Sequence, residues 1–375
     1  MLGLNQHRLD QLTELMTEHR WDVLLLYGHA WRKDFFRCLV NVNFSGPYAA
    51  AALCSGVTYA LVSHPWDVDL VAPAVNGDTT CARDFAAGLR ELAEVLKLAH
   101  EQVGRDYVSV AVAGLELMEA RFLHALRDAL GATPVSATAQ VEELRSVKSP
   151  DEIACLKRAA HLADLGYQRF AEVIEPGMAE FELVAEVESF LKSNGAEDNF
   201  MLIASGGTEV TGMKPPTERR FQIGDSVTTE LTPQIDGYYA QICRTLVLGE
   251  PNPQQREAFS IFSEARQAAE DLLKPGVDIA DVARVQNDVF RKFGYGEYTG
   301  SKYTRVRGHN LGLHPDESPY VLEDVHYTVK KDMVVIAHPN TYLPLSGYMV
   351  YGDTLLVTEN GCTGLNRAER KLFQK

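Results

Sequence analysis

The second half of the chain contains a repeated unit, and this repeat limits the folds that the chain can adopt. One predicted helix ends in VIEPGM at 173–178 and is followed by an amphipathic segment, and a second helix that ends in LLKPGV at 272–277 is followed by another. Both pairs of helices lead into strand-like segments. The same order of helix, Pro-Gly turn, helix and strands predicts two α/β halves that face each other across a cleft.

A strong helix-start signal precedes the first of these units. Ser149 is a good N-cap residue, Pro150 suits the first helical position, and Glu152 completes a capping box. A linker before this point and a long helix after it indicate a domain boundary. We therefore predict one domain over residues 1–145 and a second domain over residues 146–375.

The first domain alternates helical and strand patterns. WDVLLLYG at 21–28 is typical of a buried strand, and residues 50–63 predict a hairpin. Residues 115–130 predict a helix, and the first sixteen residues resemble an amphipathic helix more than a signal peptide. This alternation predicts a layered α/β domain.

Composition restricts the partners and the compartment. The formal net charge is −15, which argues against a nucleic-acid surface or an anionic membrane as a partner. The six cysteines are scattered without a CxxC pair, which fits a reducing compartment better than a disulfide framework. We expect a cytoplasmic protein that binds a small polar substrate.

Residues 228–245, TTELTPQIDGYYAQICRT, predict two short strands joined by a turn. Side chains alternate between the two faces of a strand. Glu230 then lies on the inner face of the first strand, and Tyr239, Gln241 and Cys243 share one face of the second.

Four of the eleven histidines fall within thirty residues, at His309, His314, His326 and His338. The first two lie in the Gly-interrupted segment RGHNLGLHPDESP, close to Asp316. We predict that His338 lies in the middle of a strand and that His326 lies at the surface. A single buried histidine is more often a satisfied core group than a ligand, and only convergence with other polar groups changes that expectation.

These segments together resemble the pita-bread superfamily, which includes creatinase, prolidase, aminopeptidase P and methionine aminopeptidase. The matching segments lie within residues 145–361 and follow the same order along the chain as in that superfamily. It is carried by LRSVKSPDEI, GDSVTTELTPQIDGYYAQICRT, GHNLGLHPDESP, KDMVVIAHPNTYL and GDTLLVTENG. It implies an α/β (α+β) fold with a C-terminal pita-bread domain, a smaller creatinase-type N-terminal domain, and a homodimer.

The resemblance also implies where metal ligands would lie. The metallopeptidases of the superfamily bind two ions through two Asp, one His and two Glu. The matching positions here hold Glu230, Gln241, His309, His338 and Gly352. Two adjacent ions need bridging carboxylates, and the bridging positions hold Gln241 and Gly352. We therefore predict that the protein has no metal cofactor and is not a dinuclear Xaa-Pro metallopeptidase.

From this we predict a metal-independent, creatinase-like C–N hydrolase that is not a peptidase. The catalytic residues would be His309, His338 and Glu230, since a neutral imidazole beside a carboxylate suits proton transfer near pH 7. The residues predicted to contact the substrate are Gln241, Cys243, Tyr239, His314 and Asp316. Two alternatives stay open: an enzyme with one metal ion bound by His309, His338 and Glu230, and a catalytically inactive binding module.

Overall fold

The computed structural model describes residues 3–101 and 109–375. They form two compact units, Met1–Arg145 and Ser146–Lys375. Residues 1–2 of the predicted N-terminal helix lie outside the described residues. Among the described helices, none combines the length and the apolar composition that a membrane span requires.

The first unit is built around a mixed sheet. Its helices are Gln6–His19 (α1), Asp34–Leu39 (α2), Pro65–Val71 (α3), Phe85–Glu101 (α4), Ala120–Leu130 (α5) and Thr138–Ser146 (α6). Its strands are Gly3–Leu4 (β1), Val23–His29 (β2), Val40–Asn41 (β3), Tyr48–Cys54 (β4), Val57–Val62 (β5), Thr79–Cys81 (β6), Val110–Ala113 (β7) and Val135–Ser136 (β8). The main sheet has the order β6-β5-β4-β2-β7-β8. The hairpin predicted at 50–63 is β4 and β5, which pair antiparallel.

The helix predicted over 115–130 begins later in the structure. Leu115–Leu117 forms a short 3₁₀ helix, and the α-helix starts only at Ala120. On the apolar face of this helix, Phe122 and Leu126 belong to the core cluster of the unit, together with Leu89 of α4 and Leu25 of β2. The 3₁₀ turn breaks the helical period before the amphipathic segment begins.

The second unit contains the candidate site. Its helices are Pro150–Val173 (α7), Glu180–Ser193 (α8), Pro253–Leu272 (α9) and Ile279–Lys292 (α10). Its strands are Asp198–Gly206 (β9), Ser226–Ile235 (β10), Tyr238–Tyr239 (β11), Ile242–Val247 (β12), Gly308–Asn310 (β13), Glu317–Tyr320 (β14), Val334–Ala337 (β15), Asn340–Leu343 (β16), Gly347–Val350 (β17), Gly352–Val357 (β18), Cys362–Gly364 (β19) and Phe373–Gln374 (β20). The central path of the main sheet is β11-β10-β12-β18-β15-β13-β14.

Each helix pair packs against its own part of this sheet. Phe170 of α7 and Leu183 of α8 share a core cluster with Leu231 of β10 and Ile242 of β12. In the other half, helices α9 and α10 share a cluster with β15 and β18. The two helix pairs predicted from the repeated sequence therefore cover the two halves of one sheet.

The first helix of this unit starts where the sequence predicts. The Ser149 hydroxyl accepts from the backbone N–H of Glu152, and the Glu152 carboxylate accepts from the backbone N–H of Ser149. Pro150 occupies the first turn, where its missing N–H costs no hydrogen bond. The capping box is confirmed.

A buried ion pair ties β12 to β18 on the helix-covered face of the sheet. The Arg244 guanidinium donates to Asp353 Oδ1 at 2.6 Å, and both side chains are almost fully buried. The guanidinium also lies over the ring of Tyr351. Burial of two charges is expensive, and the pairing offsets that cost only while both partners are present.

Replacing Asp353 by Asn should therefore destabilise the protein by about 3–5 kcal/mol, because Arg244 would remain charged and buried without its counter-ion. Chemical denaturation gives the free energy of unfolding. The matched control is Glu359→Gln, which breaks the exposed ion pair with Lys331 and should leave the free energy of unfolding close to the wild-type value. Equal losses in the two variants would contradict the role of the buried pair.

Candidate active site

Three residues of the candidate site lie directly opposite one another on neighbouring strands. Glu230 of β10 pairs with Cys243 of β12, and Cys243 pairs with Gly352 of β18. Directly opposed side chains share one face of an antiparallel sheet. Because the residues next to them, such as Arg244 and Asp353, point to the helices, this row points to the other face.

His338 lies at the end of this row, but not within a strand. Strand β15 ends at Ala337 and β16 begins at Asn340, so the prediction that His338 lies in the middle of a strand is wrong. The Pro after it has no N–H to donate to a sheet ladder. The backbone of His338 nevertheless donates to the carbonyl of Arg307, which keeps it beside β13.

The structure brings His309 and His338 together. Their ring centroids are 5.3 Å apart at an interplanar angle of 69°, and both side chains are buried. His309 belongs to β13, which pairs with β15 immediately before His338. Two imidazoles from neighbouring parts of the sheet therefore face each other.

Burial controls the charges at this site. Desolvation raises the pKa of the Glu230 carboxyl from 4.5 to about 7. It lowers the pKa of His309, although the nearby Asp316 carboxylate acts in the opposite direction. Desolvation also lowers the pKa of His338 well below its usual range, and the neighbouring His309 adds to this effect. The site at pH 7 thus holds two neutral imidazoles and a carboxyl group near its titration midpoint.

The histidines have different hydrogen-bond partners at Nδ1. His309 Nδ1 lies 2.9 Å from the backbone carbonyl oxygen of Asn310. His338 Nδ1 lies 2.9 Å from the side-chain amide nitrogen of Asn340. Within the described part of the chain, the buried Nε2 atom of His338 has no hydrogen-bond partner.

The residues predicted to contact a substrate divide into two groups. Gln241 precedes β12 and donates to the Cys243 sulfur at 3.3 Å, so these two residues lie together. Asp316 Oδ1 lies 3.8 Å from His309 Nδ1, while its other oxygen pairs with Arg305. Cys243 is no candidate nucleophile, because burial raises its thiol pKa well above the ordinary value.

Tyr239 and His314 each have a hydrogen-bond partner within the described residues. The Tyr239 hydroxyl donates to Asp198 on β9 at 3.0 Å. His314 Nδ1 lies 3.0 Å from the backbone oxygen of Asp316. The fourth histidine of the cluster, His326, is exposed and lies 2.7 Å from the carboxylate of Asp278.

Residues 154–359 match the metallopeptidase family M24. The chain belongs to this family. The Xaa-Pro dipeptidase of Pyrococcus furiosus is 32% identical over 235 residues, which are 62% of this chain and 66% of that protein. The sequence match thus spans slightly less than two thirds of that M24 relative.

Solved structures support the same fold over nearly the whole chain. The prolidase from Pyrococcus horikoshii superposes with a TM-score of 0.83 at 24% identity and covers 98% of this chain and 99% of that one. The X-Pro aminopeptidase from Thermotoga maritima gives a TM-score of 0.85 at 21% identity, with 98% and 99% coverage. The pita-bread fold with a smaller N-terminal unit is therefore confirmed.

Membership of M24 corrects the functional predictions. The prediction of a non-peptidase, creatinase-like hydrolase is wrong, because the curated relative is named Xaa-Pro dipeptidase. The prediction of no metal cofactor is contradicted as well, and so is the prediction that the protein is not a dinuclear Xaa-Pro metallopeptidase, because the family is one of metallopeptidases. The error came from treating individual ligand positions as decisive for the class of enzyme.

The side chains present nevertheless disagree with a two-ion ligand set. A Cβ atom added to Gly352 would lie 2.4 Å from the Ala337 oxygen and 2.6 Å from the Cβ of His338, so this position has no room for a carboxylate. Gln241 offers a neutral amide. Within residues 3–101 and 109–375, no group of three or more His, Cys, Asp or Glu is arranged to hold a metal ion. These residues do not fit two adjacent ions.

Sequence reasoning gave no role to Asn340 and Arg305. The signal for Asn340 was its position two residues after His338, because the same face of an extended segment carries both side chains. Arg305 pairs with Asp316 beside the imidazoles but precedes the Gly-His segment, and its sequence spacing carries no comparable signal.

The Glu230 carboxyl should make stability depend on pH. Its pKa is higher in the folded protein than the 4.5 of an ordinary Glu, so the folded state binds more protons between pH 4.5 and 7. The free energy of unfolding therefore falls as pH rises through this window. Glu230→Gln should be more stable than wild type by up to about 3 kcal/mol above pH 7 and nearly equal to it below pH 4.5.

Denaturation at pH 4.5 and pH 8 measures this difference. The exposed Glu175 provides the matched control, and Glu175→Gln should track wild type at both values. If the difference in unfolding free energy between Glu230→Gln and wild type is the same at pH 8 as at pH 4.5, the pKa of the Glu230 carboxyl is not close to 7.

Proposed function

We propose that the protein is a peptidase that hydrolyses the amide bond of a short peptide, and that Xaa-Pro dipeptides are its substrate class. Two findings support this proposal: membership of metallopeptidase family M24 and the name of the curated relative. The observation that carries it is the pair of facing imidazoles of His309 and His338, 5.3 Å apart, at the end of the row that begins at Glu230.

Each of the three groups has a chemical task in this proposal. A neutral imidazole can accept a proton from an attacking water, and the lowered pKa of His309 keeps it neutral at pH 7. His338 can contact an oxygen of the substrate, because its Nε2 atom is buried and unpartnered among the described residues. Glu230, with a pKa of about 7, can take or return a proton near neutral pH.

We assign Gln241, Cys243 and Asp316 to contacts with the substrate. Support comes from their positions: Cys243 lies between Glu230 and Gly352 in the sheet, and Gln241 bonds to Cys243. Asp316 lies near His309 and pairs with the exposed Arg305. An Arg–carboxylate pair at the edge of the site suits the charged termini of a dipeptide. Tyr239 and His314 complete the predicted set.

Purified protein should release proline from at least one member of a panel of Xaa-Pro dipeptides. The panel is tested with added Mn²⁺, Co²⁺ or Zn²⁺ and with a chelator, because the metal requirement is itself in question. Free proline is measured directly. Failure to release proline from every dipeptide under every condition would end the proposal.

Histidine variants provide the controls for this assay. His309→Ala and His338→Ala should each lower kcat/KM by about 10²–10⁴-fold, because each removes a proton-transfer or hydrogen-bonding group. His326→Ala is the matched control and should keep wild-type rates. Melting temperatures exclude unfolding as the cause. Wild-type rates in both site variants would contradict the proposed roles.

We further propose a cytoplasmic homodimer in which residues 1–145 and 146–375 are separate domains. The resemblance to creatinase and prolidase supports the dimer, and the free cysteines fit a reducing compartment. Light scattering should give twice the chain mass of 41.6 kDa, because such proteins pair. A mass of one chain at micromolar concentration would contradict the dimer.

A further inference from the structure

The side chain of Asn340 fixes the hydrogen-bonding role of its neighbour. Asn340 Oδ1 accepts a hydrogen bond from the Thr304 hydroxyl. The amide nitrogen of the same side chain faces His338 Nδ1, at 2.9 Å. An amide NH₂ group can only donate, so Nδ1 of His338 must accept.

A neutral imidazole that accepts at Nδ1 carries its proton at Nε2. His338 is therefore an N–H donor at Nε2. This donor is 97% buried with its residue, and it has no acceptor within the described part of the chain. A buried donor without a partner is unfavourable, and a bound oxygen atom would remove that cost.

His309 has the opposite arrangement. Its Nδ1 lies 2.9 Å from the Asn310 carbonyl oxygen, which can only accept, so Nδ1 carries the proton. Nε2 of His309 then holds a lone pair. The two facing rings, 5.3 Å apart, thus present one acceptor and one donor.

We propose that Asn340 is a positioning residue that holds His338 as a neutral Nε2–H donor for a carbonyl or carboxylate oxygen of the bound ligand. The identification of that oxygen as part of a peptide rests on the proposed function. The position of the proton on His338 does not depend on the proposed function. A protonated Nε2 has no lone pair to give to a metal ion. Asn340 therefore makes His338 a hydrogen-bond donor at Nε2, whereas His309 keeps a lone pair at the same atom.

Donation to an oxygen that gains negative charge in the transition state would favour amide hydrolysis. His309 would accept a proton from the water whose oxygen bonds to the carbonyl carbon and return it to the amide nitrogen, which leaves as an amine when the C–N bond breaks. His338 would donate to the carbonyl oxygen throughout. The Asn340 amide nitrogen suits this task, because it donates to Nδ1 and so favours the neutral ring with its single donor at Nε2. No proton needs to leave His338.

Nitrogen-15 NMR of the full-length protein with labelled histidines tests the tautomer without any substrate. His338→Gln identifies the His338 signals among those of the eleven histidines. We expect the proton on Nε2 in His338 and on Nδ1 in His309. A proton on Nδ1 of His338 would overturn the proposal.

The variant Asn340→Asp reverses the hydrogen bond, since a carboxylate can only accept from Nδ1. We expect the His338 proton to move to Nδ1 and kcat for the dipeptide substrate to fall by about 10²–10³-fold. The neighbouring Thr341, whose hydroxyl donates to the backbone of Tyr298, provides the control. Thr341→Val should keep the wild-type spectrum and rate.

The two measurements separate this inference from the proposed function. An absence of turnover with every dipeptide would end the proposed function, and the spectrum would still decide the tautomer. A wild-type spectrum in Asn340→Asp would overturn the positioning role. A reversed tautomer with an unchanged rate would overturn the donor role of His338.

Discussion

The buried ion pair between Arg244 and Asp353 is the constraint on which the site depends. The two residues lie on adjacent strands, and their side chains point to the helix-covered face of the sheet. Because side chains alternate along a strand, the residues just before them, Cys243 and Gly352, must point to the opposite face. A charged contact on one side of the sheet therefore fixes the register of the site on the other side.

The surroundings of this pair explain how two charges can be buried here. Asp353 Oδ2 lies 3.0 Å from Arg370 and 3.7 Å from Arg266, so one carboxylate faces several cations. The ring of Tyr351 covers the guanidinium groups of Arg244 and Arg266. This network tolerates few alternative registers, because a shift of one residue between β12 and β18 would leave Arg244 buried without its carboxylate partner. The network therefore holds β12 and β18 in one register beneath the site.

Much of the fold followed from the sequence, because the features that specify it are local or periodic. The capping box at Ser149 and the alternation around Glu230 are such features, and the order of motifs pointed to the correct superfamily. The position of His338 was missed because a single proline ended the strand. The enzyme class was missed for another reason: ligand positions were counted one by one, while family membership is carried by the segments as a whole. The role of Asn340 depends on the contact of its side-chain amide nitrogen with His338, and the sequence carries no signal for the orientation of an amide.

The backbone itself keeps a side chain out of position 352. Any side chain there would have its Cβ atom 2.6 Å from the Cβ of His338 and 2.4 Å from the backbone oxygen of Ala337. Neither atom belongs to the imidazole ring, and backbone atoms cannot yield as the end of a flexible side chain can. The glycine at position 352 is therefore required by the close approach of β18 to residues 337–338, and the exclusion of a carboxylate from this position does not depend on the imidazole at 338.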